Sequence, residues 1–528
     1  MQHASERVDK ELDGVIEAVG AYIDIAISVL QVIKMGLRSK SSEVRARNRE
    51  EPPFQESGGQ VQQASPPREG PPKLTIITSS KTSLQKLSDV RKDLAARGAA
   101  PRPRYIAKQL LVTIRTDAIP HIESHADGAR AMAASAIPEL LRGPFDALER
   151  EGLIEEVTAV QVRRAGAARA RRVGNATSTI AESLMQSDSD ELRGVNLVRV
   201  AKPSSMNQVI RALADNDAVE HVEHVPFRTV VPSVSTLKSI ATTSGRPWNL
   251  EAIGWYEQRT REAQTIRLGL LDTGVDEEHP NLTIAAYEHG GSTAEDLAGH
   301  GTHVAGILVG SPARDRGFDG GVCNGNLHVW KIFGDEPDAE TGEYVVDEAM
   351  YLRALRQSET AGCKVLNLSF GSLAATTPEK QLIKRLVASG ITLVAAMGNS
   401  YKDGNPTEYP AAYDGVLAVG AIGPDLRRAT FSSTGAHIAL VAPGDGIVST
   451  LPVAPSNTRS ETHFGCWSGT SMAAPHVTAA VAHLLARKPD LAPSAVKARL
   501  QSLAKRLPEM SDAGRSRALG TGLLQLLE

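Results

Sequence analysis

Three short stretches carry residue types that acyl-transfer chemistry needs. In Gly469-Thr470-Ser471-Met472-Ala473-Ala474-Pro475-His476 a serine sits among small residues, and an alanine-rich apolar run follows to Ala486. The run reads as a buried helix ending near Arg487-Lys488-Pro489. Ser471 therefore falls at or near a helix N-terminus, where free N–H groups and the dipole favour negative charge. A serine oxygen that attacks a carbonyl leaves an oxyanion there. Taken alone, the stretch also reads as an ordinary N-cap, so a base and an orienting acid decide between the two. Leu271-Asp272-Thr273-Gly274 puts an acid at the end of an apolar run, and Gly299-His300-Gly301-Thr302-His303 opens a second small-residue helix. His300 could be the base, although in isolation Asp272 reads as a turn residue and His300 as a satisfied polar one. His300 and His303 could also be read as a metal pair, but no carboxylate stands where such pairs carry one. His279, His328, His463 and His476 read as structural.

These residues need a scaffold, and the chain from Trp248 onward supplies one. Short apolar runs at Ile266–Leu271, Leu327–Ile332, Lys364–Leu368, Ile391–Ala396 and Val416–Val419 alternate with helical patterns. Runs this apolar suit a parallel sheet covered on both faces. In such sheets, function collects at the carboxyl ends of the strands, where Asp272 falls.

Asp272-Thr-Gly, His300-Gly-Thr-His and Gly-Thr-Ser471-Met-Ala, in that order, closely resemble the subtilisin-like serine proteases. The likeness covers roughly 248–528. Asn367-Leu-Ser369-Phe370-Gly371 resembles that family's substrate-binding strand, and Ala395-Ala-Met-Gly398-Asn399 its oxyanion-hole segment. Glu408-Tyr409-Pro410-Ala411 and Val441-Ala-Pro-Gly444 fit as well. The resemblance implies a three-layer, doubly wound, mostly parallel α/β fold. It implies Ser471 as nucleophile, His300 as base, Asp272 as the group that fixes its tautomer, and Asn399 as oxyanion donor. Ser369, Phe370 and Gly371 would pair with the substrate backbone as an added strand. By the same likeness, Glu408 falls at the floor of the pocket for the side chain before the scissile bond. A carboxylate there would favour Arg or Lys, unless it turns to solvent. The acidic segment 335–343 lies beside the same cleft in the family and points the same way. A basic preference would make the 163–172 loop and Arg246 candidate self-cleavage sites. Asn281 stands where many relatives have a calcium-binding aspartate, so neither a metal nor any other cofactor is expected.

The upstream half divides by texture. Residues 1–37 carry apolar positions at helical steps (Leu12, Val15, Val19, Tyr22, Ala26, Leu30, Ile33, Leu37), which reads either as a helix docking a protein partner or as one packing on its own chain. Residues 38–104 read as a largely disordered linker. Residues 105–230 follow the order strand, helix, strand, strand, helix, strand, with Ser204 as a helix cap. That order is similar to the family's inhibitory propeptide, and Trp248-Asn-Leu-Glu-Ala-Ile-Gly254 resembles a mature start. A cut is then expected in the 231–247 linker or just before it. Arg163 to Arg172 reads as an exposed basic loop more readily than as a nucleic-acid patch.

Composition bounds the rest. A chain of 528 residues, 41% hydrophobic, holds two or three domains, and a net charge of −3 implies no general attraction to nucleic acid or membrane. Three scattered cysteines make neither a disulfide framework nor a zinc cluster, which fits a reducing compartment. The N-terminus lacks the order of a secretory signal and no run is long and charge-free enough to span a membrane, so a cytoplasmic location is expected. The expectation is a serine endopeptidase made as a self-processed zymogen, acting on protein or peptide substrates. The rival is a protease-fold regulatory protein whose main reaction is self-cleavage.

Overall fold

The computed structural model describes residues 104–115, 139–160, 192–230, 233–234, 246–255, 263–290, 293–313, 318–338, 341–453, 463–510 and 515–526. All lie in the compact unit Pro71–Glu528. The expected N-terminal helix, nearly all of the 38–104 linker, the 163–172 basic loop and most of 231–247 fall outside the described residues.

The first six elements are β1 (Tyr105–Ile114), α1 (Glu139–Arg150), β2 (Ile154–Ala159), β3 (Val195–Val200), α2 (Met206–Ala214) and β4 (Val219–Pro226). The strands form one antiparallel sheet in the order β2-β3-β1-β4. Successive side chains of a strand point to opposite faces, and β1 uses both. Leu110, Val112 and Ile114 join Phe145, Leu148, Val209 and Leu213 in a core of their own. Leu111, between them, belongs with Val195 and Val225 to the large core of the rest of the molecule. The sheet is thus covered by its own helices on one face and packed on the second domain with the other. Ser204 is not a cap: Pro203–Ser205 form a 3-10 turn and α2 begins after Ser205, with no side-chain cap bond. Proline fits such a first turn because its missing N–H has no partner to lose there.

After β5 (Ser233–Val234) and the short α3 (Trp248–Ala252), the second domain is built on seven parallel strands. They are β6 (Arg267–Asp272), β7 (Ala286–Glu288), β8 (Asn326–Lys331), β9 (Val365–Leu368), β10 (Thr392–Ala396), β11 (Leu417–Ile422) and β12 (Ile438–Pro443), in the order β12-β11-β10-β9-β6-β8-β7. Every residue of β9 to β12 is buried, as strands sandwiched between helices require. The helices are α4 (His300–Val309), α5 (Glu348–Thr360), α6 (Thr377–Ala388), α7 (Thr470–Arg487) and α8 (Pro493–Leu503). α7 packs on β9 to β12 and on α4, while α5 and α6 pack on each other and on β6 and β10. α7 is buried almost throughout, the pattern of a helix apolar on every side. β13 (Ile447–Thr450), β14 (Phe464–Ser468) and β5 form a separate three-stranded sheet, which the apolar pattern of the chain did not announce.

Candidate active site

Asp272 is the last residue of β6 and His300 the first of α4. His300 Nδ1 and Asp272 Oδ1 are 2.6 Å apart, and both side chains are fully buried. Since the carboxylate accepts, Nδ1 carries the proton and Nε2 is left as the basic nitrogen. Burial pushes the Asp272 carboxyl up from its usual range; the His300 contact and the Thr273 N–H offset part of that rise. The close approach of α4 to β6 depends on Gly301, where a Cβ would collide with the Gly274 carbonyl.

Ser471 is the second residue of α7. Its hydroxyl donates to the Ser369 carbonyl at 2.9 Å, not to His300, whose Nε2 has no partner among the described residues. Ser369 Oγ in turn donates to the Ser471 carbonyl, and Asn367 Nδ2 donates to Ser369 Oγ. Asn399 follows β10. Its Oδ1 accepts from the Thr470 N–H at 2.9 Å and from the Thr470 hydroxyl at 3.0 Å. Because an N–H can only donate, that contact fixes the amide's orientation and leaves Nδ2 as the outward donor. Nδ2 lies over Gly469, two residues before Ser471, in space a side chain there would crowd. Asp272, His300, Ser471 and Asn399 are therefore gathered at the carboxyl ends of β6 and β10 and the N-terminal ends of α4 and α7.

Glu408 does not turn to solvent. Its carboxylate lies against Gly371 and Gly398, so that a Cβ at either position would collide with it. The 371–372 and 409 segments are joined by reciprocal Ser372–Tyr409 backbone bonds, and Tyr409–Pro410 is cis. In the acidic segment, Asp335, Asp338 and Glu343 each lie against other groups of the protein. Asp335 binds Lys331 at 2.6 Å and the Thr293 N–H at 2.9 Å, which holds its pKa below the usual range against the effect of burial. Asp338 caps a turn at Thr341, and Glu343 lies 3.8 Å from Arg104.

The end of the first domain runs into this cleft. Thr229 bridges antiparallel to both Val345 and Gly371. Its N–H donates to the Gly371 carbonyl, and the Arg228 carbonyl accepts from the Val346 N–H. On the other side of Ser471 in sequence register, Ser233 pairs with Ser468 and Val234 with Trp467. The Arg228 guanidinium is fully buried between Glu348 and Glu379. Glu223 of β4 accepts from the N–H and hydroxyl of Thr377 at the N-terminus of α6, where a carboxylate satisfies free donors and meets the positive dipole end.

One feature of the site escaped the reading of motifs. Asp296 is buried and binds the Gly299 and Thr302 N–H groups and the Thr302 and Thr273 hydroxyls. It thereby ties the start of α4 to the end of β6, and Lys331 holds its loop through the Thr293 and Glu295 carbonyls. An Asp a few residues before a helix was the available signal. The other histidines have structural partners: His303 stacks on Trp467 at 4.8 Å, and His476 sits between Asn249 and the Met472 carbonyl. Among the described residues, no group of three or more His, Cys, Asp or Glu is gathered to hold a metal ion.

A family model described as the subtilase family matches residues 263–522. The chain is 36% identical to subtilisin DY of Bacillus licheniformis over 266 residues, 49% of this chain and 89% of that protein. It is 29% identical to subtilisin E of Bacillus subtilis (strain 168) over 317 residues, 58% of this chain and 73% of that one. It is 33% identical to the major intracellular serine protease of the same organism over 233 residues, 42% and 68% of the two chains. Among solved structures, fervidolysin from Fervidobacterium pennivorans, a keratinolytic enzyme related to subtilisin, superposes with a TM-score of 0.55 at 22% identity. That match covers 80% of this chain and 60% of the other, and it supports the fold.

Proposed function

The chain belongs to the subtilase family of serine endopeptidases, and from that premise we propose that Asp272, His300 and Ser471 are its catalytic triad, in a zymogen that prefers a basic residue before the cut. The observation that carries the reading is the buried Asp272–His300 pair, whose free Nε2 belongs to the same strand-end cluster as the Ser471 helix.

The chemistry follows from the parts. A substrate strand laid along 369–371 in the register of Thr229 opposite Gly371 directs an N–H at the Ser369 carbonyl. That N–H replaces the Ser471 hydroxyl as donor, and Ser471 turns to His300 Nε2. Such bonds often form only with substrate present. His300 takes the Ser471 proton as Oγ attacks the carbonyl, and later gives it to the leaving amine. Asp272 stabilises the imidazolium. The Asn399 amide and the Ser471 N–H receive the oxyanion. Glu408, against Gly371 and Gly398, presents its carboxylate to an Arg or Lys side chain.

Residues 105–230 act as an inhibitory and folding module, processed within or near 231–247. Support comes from the tail at Arg228 and Thr229, which occupies the track a substrate would take. A cytoplasmic site of action draws support from Cys323, Cys363 and Cys466, which are buried and in no disulfide. Among the described residues, no helix is long and apolar enough to cross a membrane.

Fluorophosphonate labelling tests the reading. Wild-type protein should label and Ser471→Ala should not; a processed wild-type protein that fails to label contradicts the triad. N-terminal sequencing of incubated protein should find a new terminus between about 226 and 247 in wild type alone.

A further inference from the structure

Ser471 and Thr478 are seven residues apart, two turns along one face of α7. Across from them stand Asn367 of β9 and Ser369 just beyond it, two places apart and therefore on one side of the extended chain. All four side chains are buried. They are joined in series. The Thr478 hydroxyl donates to Asn367 Oδ1 at 2.9 Å, Asn367 Nδ2 donates to Ser369 Oγ at 2.8 Å, and Ser369 Oγ donates to the Ser471 carbonyl at 3.0 Å.

The last link fills a gap that the helix itself creates. In an α-helix the carbonyl of residue 471 receives the N–H of residue 475. Here residue 475 is proline, inside α7, and it has no N–H to give. A buried carbonyl without its regular donor is costly unless another group replaces it. The Ser369 hydroxyl does so. The peptide between Ser471 and Met472 is then held at both ends, because the Met472 N–H donates to the Gly469 carbonyl at 3.0 Å. Asn367 sets the direction of the bond. Its N–H occupies a lone pair of Ser369 Oγ, and the single hydroxyl proton is left to point at the Ser471 carbonyl. Thr478 in turn holds the amide by its oxygen.

We propose that the Ser369 hydroxyl substitutes for the N–H that Pro475 lacks, and that Asn367 and Thr478 are positioning residues that keep Ser471 aligned through it. This rests on the proteolytic reading above. Two bonds join Ser369 and Ser471, one in each direction. Substrate displaces the one from the Ser471 hydroxyl, which must swing to His300. The one to the Ser471 carbonyl involves neither a reacting atom nor the substrate, so it persists while the side chain moves. The nucleophile turns on a fixed backbone, and its own N–H stays where the oxyanion forms.

The test uses the incubated full chain, with rates counted per fluorophosphonate-titrated site on fluorogenic peptide amides ending in Arg and in Leu. Ser369→Ala should lower kcat about five- to tenfold on whichever amide is cut, with KM within about twofold. It should slow fluorophosphonate labelling by a similar factor, although that reagent has no peptide backbone to bind. Thr478→Val, two helical turns from the nucleophile, should lower kcat about two- to threefold, and Thr478→Ser should keep the wild-type rate. In a Pro475→Ala chain the residue 475 N–H returns, and Ser369→Ala should cost less than about twofold there. An unchanged rate per site in Ser369→Ala, a loss carried by KM alone, or the same loss with and without Pro475 overturns the relay and leaves the protease standing. A wild-type chain that neither labels nor cleaves overturns the proteolytic reading and the relay with it.

Discussion

Two acidic sites lie near Gly371, and they differ in how deeply their carboxylates are buried. Glu408 is a single, half-buried carboxylate set against two glycines. Glu348 and Glu379 are a fully buried pair, braced by two tyrosines and a threonine and already holding a guanidinium. The second holds two carboxylates out of water with a guanidinium between them. Burial alone would lower the pKa of Arg228, but the two carboxylates outweigh it and hold the group more firmly protonated. The same residue type thus stands half-buried beside two glycines at one position and in a fully buried ion pair at the other.

Substitutions sharpen that contrast, beginning with the largest effect. Asn399→Leu touches neither site, so it should lower kcat by about 10²–10³ on all peptides alike; a loss confined to arginine peptides would mean that Asn399 acts in recognition. Arg228→Ala leaves two buried carboxylates without their partner, and breaking such a pair costs about 3–5 kcal/mol. Thermal unfolding of the Ser471→Ala chain, which cannot process itself, should register that cost, and an unchanged midpoint would show the pair to be hydrated and weak. Glu408→Gln should reduce the preference for Arg over Leu before the cut by about tenfold, without moving the unfolding midpoint. If wild type cuts Arg and Leu peptides equally, Glu408 does not read charge.

The smallest effect concerns pH. Burial lowers His303 from its ordinary 6.5 to about 3 and His476 to about 4. Each binds a proton more readily when unfolded, so the stability they support is complete above about pH 6.5 and is lost as pH falls toward 4 and then 3. His476→Gln, which does not titrate, should flatten the fall in melting temperature across that window. An identical slope in variant and wild type would mean that His476 charges in the folded state.

Local residue order made part of this legible. The Asp272, His300 and Ser471 motifs read directly because each is a continuous string, and β6, β8, β9 and β10 lie within one or two residues of the apolar runs that announced them. The order of elements in 105–230 read well for the same reason. What failed to read was what depends on distance along the chain. Arg228 meets partners 120 and 151 residues away, and in sequence it is one arginine beside a linker. The paired strands β13 and β14 mix apolar residues such as Ile447, Phe464 and Trp467 with polar and small ones in runs of four and five residues, too short and mixed to stand out as apolar runs. Asp296 looked like one more acid in a polar loop until four donors converged on it.

The central claim, a serine endopeptidase that cuts after basic residues, is tested most directly by mapping cuts in a denatured protein mixture. Peptides released by the incubated wild-type chain are sequenced by mass spectrometry, with Ser471→Ala as the parallel sample. The predicted result is a set of cuts after Arg or Lys, and none with Ser471→Ala. Cuts mainly after apolar residues, or the same cuts in both samples, would contradict it.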